Sequence, residues 1–165
     1  NISSPNTPGL RELQGGRYLE QLCTELVREN AVLARGLGIV PKPLLVKIAP
    51  DLSTAELDEV LQAMMESGIS GVIATNTTLS RDGLTHANGK EQGGLSGPPI
   101  RLRSTAIIQH IHRQTAGKLP IIGVGGVFDA VSAREKMDAG AVLVQLYTGL
   151  IYQGPAVAGR ILREL

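Results

Sequence analysis

The chain has 165 residues and a formal net charge of +1, with 42% hydrophobic residues, 2% aromatics and no Trp. That length suits one domain with a sizeable core of Leu, Ile, Val and Ala, and the near-neutral balance gives no electrostatic argument for nucleic acid or an anionic membrane surface. No apolar run approaches the ~20 residues of a membrane span, no secretory signal is visible, and the single Cys23 excludes an internal disulfide.

The chain opens on Asn1-Ile2-Ser3-Ser4-Pro5-Asn6-Thr7, a run rich in hydroxyl and amide side chains and free of charge. Inside a strand those groups would need buried partners. In a loop they can converge on a small polar ligand, since Asn supplies both the donor and the acceptor that amide and carbonyl edges require. An ordinary turn leading to a helix cap fits the same residues. Starting without Met and without a strand leading in, the chain reads as a fragment or a processed form. Leu19, Leu22, Leu26 and Val27 recur at helical spacing over roughly 17–35, with Cys23 packed among them. Pro41 and Pro43 then break the chain. Leu44–Ala49 is a short buried strand interrupted only by Lys47, and Pro50 ends it. Ser53-Thr54-Ala55-Glu56 has capping-box spacing, ahead of a helix that turns Leu57, Val60, Leu61, Met64 and Met65 to the core and stops at Gly68.

Gly71–Thr75 is the next strand, running into Asn76-Thr77-Thr78. From Leu79 to Ile100 no period survives, and structureless stretches longer than ~12–15 residues in compact domains are usually functional. Ser104–Thr115 is helical, with Ile107, Ile108 and Ile111 inward. His110 and His112 are two apart and do not face each other; both read as solvated, as does His86 in the long loop, so no metal pair is expected. Pro120–Gly126 is a strand ending in a glycine pair. Asp129 caps a short helix holding Ala133 and Met137, closed by Gly140. Val142–Leu146 is the last strand, followed at once by Tyr147-Thr148, and a final helix takes in Val157, Ile161 and Leu165.

Continuous apolar strands alternating with amphipathic helices predict right-handed βα units on a parallel sheet. Four of them make one half, β5–β8, of an α/β (β/α)8 TIM barrel, so residues 1–165 read as a single, incomplete barrel domain. A doubly wound sheet is the alternative, disfavoured because polar residues follow every strand rather than one switch point. Strands are expected near 44–49, 71–75, 120–124 and 142–146, parallel and in that spatial order, with helices on one outer face. The outer strands, Leu44–Ile48 and Val142–Leu146, would have free edges, which invite self-association or a partner segment completing the barrel.

In a barrel, the strand ends converge on one mouth. Lys47, Thr75-Asn76-Thr77, Gly125-Gly126 and Tyr147-Thr148 would meet there, joined by the opening Asn1–Thr7 loop. Phosphate sites in this architecture use the loops after strands seven and eight, the places held by Gly125-Gly126 and Tyr147-Thr148. Glycine at a strand end is also a common turn residue. Lys47 is either an end-of-strand lysine snorkelling to solvent or a fixed positive charge beneath a cofactor that gains negative charge, as a reduced flavin does. No Ser-His-Asp triad can be assembled, since no histidine lies at a strand end.

Six co-linear motifs span nearly the whole chain: Asn1–Thr7, Val46–Asp51 (VKIAPD), Thr75–Thr78 (TNTT), Gly93–Gly97 (GGLSG), Ile122–Gly126 (IGVGG) and Gln145–Thr148 (QLYT). Together they closely resemble the dihydroorotate dehydrogenase family. Ser rather than Cys at position 4 resembles its class 2, quinone-reducing branch. The resemblance implies a flavin mononucleotide (FMN) barrel that oxidises dihydroorotate to orotate in pyrimidine synthesis and is reoxidised by quinone. It implies Ser4 as the base at C5, and Asn1, Asn6, Asn76 and Thr77 as pyrimidine contacts. Asn1, Lys47 and Thr75 would contact the flavin, while Gly97, Gly126, Tyr147 and Thr148 would hold its phosphate. It also implies peripheral attachment to the cytoplasmic side of a membrane, a bacterial inner membrane before a mitochondrial one, through a region absent from this chain. Without the first half-barrel, the isolated chain is expected to be inactive. Two other readings stand beside it: a non-catalytic half-barrel acting as a self-associating scaffold, and a flavin-free phosphate-binding lyase or isomerase, which would lack an acid–base carboxylate pair.

Overall fold

The computed structural model describes residues 2–7 and 9–165. Its elements run α1 (Gly16–Leu37), β1 (Leu45–Ile48), α2 (Thr54–Glu66), β2 (Gly71–Ala74), α3 (Arg101–Gln114), β3 (Ile121–Val124), α4 (Ala130–Asp138), β4 (Leu143–Gln145), α5 (Thr148–Gln153) and α6 (Val157–Glu164). The sheet has four strands in the order β1-β2-β3-β4, every pair parallel. This is the predicted order, with strands trimmed by a residue or two at their ends.

Register decides which side each strand residue faces. Ile48 pairs with Ala74, Ala74 with Gly123, and Gly123 with Val144. Strand side chains alternate with a period of two, so Val46, Ile48, Val72, Ala74, Ile121 and Gly123 share one face. That face packs on the helices: Ile48, Val72, Ala74 and Ile121 join one core with Leu19, Val60, Met64, Ile108 and Ile111. The opposite face carries Leu45, Lys47, Ile73, Ile122, Leu143 and Gln145, none of them buried, together with Gly71 and Val124, which are buried. Leu143 is 61% exposed. Helices therefore cover one face only. A doubly wound sheet would have them on both, and is excluded.

Local sequence accounts for the helix limits. Ser53 and Glu56 form a reciprocal capping box at the start of α2, the Ser53 hydroxyl accepting from the Glu56 amide (3.3 Å) and the Glu56 carboxylate from the Ser53 amide (2.8 Å). Such a cap is worth about 1 kcal/mol. Asp129 and Ser132 do the same for α4. Gly68, at φ +76°, ends the second unit as expected. Helix α5 begins directly at Thr148 and was not anticipated, because Tyr147-Thr148-Gly149 carries no apolar period.

Three side chains depart from the sequence reading. Met65 is 45% exposed while Met64 fills the core, and Leu26 turns outward from α1. His110 is not solvated: its Nε2 lies 2.6 Å from an Asp58 carboxylate oxygen, joining α3 to α2. The least expected core residue is Lys136, fully buried, whose Nζ donates to the Arg101 carbonyl (2.8 Å) and the Thr105 hydroxyl (2.6 Å). Its stem also fills the space beside Gly123, where an added Cβ would come within 3.0 Å of the Lys136 Cβ.

Burial pulls the Lys136 ammonium down to about 8. The folded chain thus holds this proton less tightly than the unfolded chain, where lysine titrates near about 10.4. Between those values the unfolded state binds more protons, so this group makes stability rise with pH. Denaturation of the full-length protein at several pH values should show wild type gaining on Lys136→Met from about pH 8 to about pH 10.4. A constant difference across that window would contradict the buried, partly neutralised lysine.

Candidate active site

The parallel register sets Ile48, Ala74, Val124 and Gln145 at one edge of the sheet, and the chain leaving each strand stays close to its neighbour. The Thr75 amide donates to the Val124 carbonyl (2.9 Å), and the Asn76 amide to the Ile48 carbonyl (2.8 Å). Between these ends lies a cavity of about 370 Å³, within the size range of small-molecule sites. Lys47 enters it from β1, Thr75-Asn76-Thr77 from the end of β2, and Gly94, Ser96 and Gly97 from the long loop. The segment after β3, Gly125–Phe128, and the stretch from Gln145 to Gly149 complete the wall. Lys47, Thr75, Asn76, Thr77, Gly97, Gly126, Tyr147 and Thr148, gathered from separate stretches of sequence, therefore line one space.

Among the described residues lining the cavity, Lys47 is the only charged one. It is half-buried, and burial lowers its ammonium from the ordinary lysine value. It makes no ion pair among the described residues. At the other side the wall is backbone. Gly126 has φ +70°, and a Cβ there would sit 2.5 Å from the Arg101 Cβ and 2.8 Å from its Cα. Substituting Gly126 would thus strain the junction of β3 with α3 rather than merely fill the cavity, so it is no clean probe of a ligand. The Thr148 hydroxyl donates to Ser96 (2.9 Å), tying the start of α5 to the long loop.

Among the described residues, those of the opening loop flank this wall without lining it. Ser3 is buried, and its hydroxyl accepts from the Asn76 side-chain amide (3.1 Å). The Asn76 side-chain Oδ1 in turn accepts from the Thr77 backbone amide (2.9 Å). Ser4 is half-buried, its oxygen accepting the Asn6 amide (3.3 Å). Pro5 and Thr77 crowd Gly94 so closely that no side chain fits there. Asn6 approaches Gly93, its Oδ1 3.6 Å from where a Cβ would lie. Asn1 lies outside the described residues.

Two groups that the sequence reading passed over organise these loops. The Arg11 guanidinium pairs with Asp51 (2.8 Å) and donates to the carbonyls of Thr77 (3.1 Å) and Ser3 (3.4 Å). Asp51 also accepts from the Thr78 hydroxyl and the Leu79 amide (3.0 Å). Burial works to raise the Asp51 carboxyl, but Thr78, Leu79 and Arg11 outweigh it and hold it below the usual carboxylate range. A further guanidinium, Arg81, gathers the long loop, donating to the carbonyls of Glu91 (3.0 Å) and Gly93 (2.5 Å). The signal available was an Arg close behind the uncharged opening run and an Asp straight after a strand-ending proline. Neither has a periodicity.

The family model described as dihydroorotate dehydrogenase matches residues 1–165. The chain belongs to the dihydroorotate dehydrogenase family. A relative from Cellvibrio japonicus named dihydroorotate dehydrogenase (quinone) is 54% identical over 158 residues, covering 95% of this chain and 46% of that protein. One of the same name from Vibrio parahaemolyticus is 51% identical over 168 residues, covering 100% and 49%. The crystal structure of DHODH from Eimeria tenella in complex with ferulenol superposes with a TM-score of 0.93 at 37% identity, over 99% of this chain and 47% of that one. The chain spans about half the length of the curated relatives it matches. Its four βα units are the C-terminal half of a dihydroorotate dehydrogenase TIM barrel.

Asp51, with its pKa depressed on folding, contributes stability that is present above the unfolded value near about 4 and is lost as pH falls through the lower folded value. Asp51→Asn in the full-length protein should lower stability at neutral pH by about 1–3 kcal/mol, the scale of hydrogen bonds to a charged group. The gap from wild type should close in acid. Urea denaturation at neutral and acid pH checks this, and a gap that persists below both values would place the carboxylate's stabilisation elsewhere.

Proposed function

We propose that this chain is one half, carrying part of the flavin and substrate site, of a quinone-dependent dihydroorotate dehydrogenase that oxidises dihydroorotate to orotate in pyrimidine synthesis. The observation that carries the reading is the lone half-buried Lys47 in a cavity otherwise lined by uncharged residues: neutral donors, glycine backbone and apolar side chains such as Val127 and Phe128. FMN fits that wall: it needs a cation near its ring, a phosphate cradle free of Cβ atoms, and no acidic neighbour. Relatives named dihydroorotate dehydrogenase (quinone) supply the substrate and the terminal acceptor.

Residues 1–165 form one FMN-binding barrel domain together with the half-barrel that precedes them in the longer relatives. When bound, FMN would supply the acceptor for the hydride that leaves C6 of dihydroorotate. Lys47 holds a positive charge that favours the electron-rich form of the flavin, and Thr75 and Asn1 contact its ring. Gly97, Gly126, Tyr147 and Thr148 hold the ribityl phosphate by backbone and hydroxyl donors. Asn1, Asn6, Asn76 and Thr77 hold the pyrimidine, whose amide and carbonyl edges need paired donors and acceptors.

Ser4 takes the proton from C5 as its own hydroxyl proton passes to a water-linked relay. A serine hydroxyl is a weak base. The Asn6 amide donating to its oxygen (3.3 Å) favours the form with charge on oxygen. Bound flavin would pass its electrons on to quinone, and the protein sits peripherally on the cytoplasmic side of a membrane through a region outside this chain. Among the described residues no helix is long and apolar enough to cross a membrane. The bare inner face of the sheet, with Leu45 and Leu143 exposed, supports completion of the barrel by its other half.

Thr148→Glu in the full-length protein would set a carboxylate where the phosphate binds. FMN affinity should fall at least ~100-fold while riboflavin, which has no phosphate, loses far less; this sets the charge repulsion of an enclosed site against that of an exposed one. Equal losses for the two flavins would put the phosphate elsewhere. Ser4→Ala should leave FMN bound and slow flavin reduction by dihydroorotate by roughly 10²–10⁴, the worth of a positioned acid–base group. Ser4→Cys should recover part of the rate, because a thiol titrates nearer neutrality. Reoxidation by quinone should not change in either variant. Stopped-flow bleaching and recovery of the flavin band separate the two steps, and wild-type reduction by Ser4→Ala would make Ser4 a turn residue.

A further inference from the structure

We infer that Arg11 is a positioning residue for the base: its guanidinium fixes the Ser4 loop against the pyrimidine-binding segment at Asn76–Thr77. The inference rests on the assignment of Ser4 as the base.

One side chain reaches three stretches that are far apart in sequence. Arg11 donates through Nε to the Ser3 carbonyl (3.4 Å), through Nη2 to the Thr77 carbonyl (3.1 Å), and through Nη1 to Asp51 (2.8 Å). Ser3 is joined by a peptide bond to Ser4, and Thr77 lines the cavity. The guanidinium thus sits between the backbone that carries the base and the backbone that holds the ring. Its side chain is only 23% exposed, as is that of Asp51, so solvent screening is limited and the geometry is held on several sides. Asp51 is itself fixed by the Thr78 hydroxyl and the Leu79 amide, which anchors the guanidinium to the end of β2.

Other ties on each side do not replace Arg11. On the Thr77 side, Thr78 and Leu95 exchange backbone bonds of 3.1 Å and 2.8 Å, and the Thr77 amide donates to the Asn76 side-chain oxygen (2.9 Å). On the Ser4 side, the Ser3 hydroxyl accepts from the Asn76 side chain (3.1 Å) and the Ser4 oxygen from the Asn6 amide (3.3 Å). Those two bonds run through side-chain atoms, whereas Arg11 grips a backbone carbonyl on each side, so its loss lets the base shift relative to the ring contacts. Lysine cannot replace it: an ammonium has three donors on one atom, whereas the planar fork spreads five donors over three nitrogens and can serve separated acceptors at once. Misplacement of a reacting group by about 1 Å can cost on the order of 10²-fold in rate.

The test is a double-mutant cycle in the full-length, flavin-loaded protein, using Arg11→Lys and Ser4→Ala alone and together. Arg11→Lys keeps a cation beside Asp51, so it retains the pairing that folding needs. Arg11→Met is run beside it. The rate of flavin reduction by dihydroorotate should fall about 10–10²-fold in Arg11→Lys when Ser4 is present, and by less than ~3-fold when Ser4 is already Ala, because coupled groups are non-additive. Orotate affinity, read from the flavin spectrum, should change by no more than ~3-fold, as expected when a group acts on the chemical step rather than on ground-state binding. Equal slowing in both backgrounds, or a loss confined to orotate affinity, would make Arg11 a merely structural group and overturn the inference while leaving Ser4 as the base. A wild-type reduction rate in Ser4→Ala alone would overturn the base assignment, and this inference with it.

Discussion

Asp51 accepts hydrogen bonds from Arg11, Thr78 and Leu79 at once, and through them it joins the segment after β1 to the chain beyond β2 and to the opening loop, which the sheet does not reach. A parallel sheet aligns its strand ends but does not fix the loops beyond them, because each connection leaves the ladder after one or two residues. A buried carboxylate with fewer donors would be costly. Here the donors are sufficient to keep it ionised, and the same bonds that satisfy it hold the mouth in one arrangement. Lys47 lies on β1, the strand that leads into this anchor, and Thr77 just before Thr78. The cation and the ring contacts assigned to this half of the site thus hang from one polar cluster.

On the opposite side of the cavity the constraint is steric rather than electrostatic. Gly125 and Gly126 lie against the first turn of α3, where a Cβ on Gly125 would come 2.9 Å from Ser104 and one on Gly126 2.5 Å from Arg101. The Ser104 hydroxyl donates to the Val124 carbonyl (2.6 Å), and Lys136 holds the Arg101 carbonyl from beneath. Backbone amides at the end of β3 are therefore presented by close packing. The glycines are needed for the approach of α3 as much as for any ligand, which is why a bulky residue at 126 disturbs the scaffold and Thr148 is the better place to probe a phosphate.

Elements with a period could be read from the residues: the βα alternation, the one-sided helical cover and the capping boxes at Ser53 and Asp129 all arise from local pattern. The cluster Lys47, Thr75–Thr77, Gly126 and Tyr147-Thr148 was reachable because strand ends converge in a barrel once the strands are parallel. Arg11, Asp51 and Lys136 were not reachable this way. Each acts through contacts to backbone groups and side chains of other segments, which leave no spacing signature, and Lys136 occupies a helix position that composition would assign to solvent. His110 is the same case in reverse, a polar helix residue with its partner Asp58 on the neighbouring helix. Leu26 and Met65 show the limit of periodicity, since a stripe wide enough to include them exceeds the face that α1 and α2 cover.

Whether these strand ends receive a flavin that dihydroorotate can reduce is tested most directly by anaerobic titration of the purified full-length protein with dihydroorotate, following the flavin absorbance band and the orotate formed. The protein should carry FMN, and the band should bleach with one orotate produced per flavin. A protein without flavin, or one whose bound flavin stays oxidised in excess dihydroorotate, would contradict this assignment.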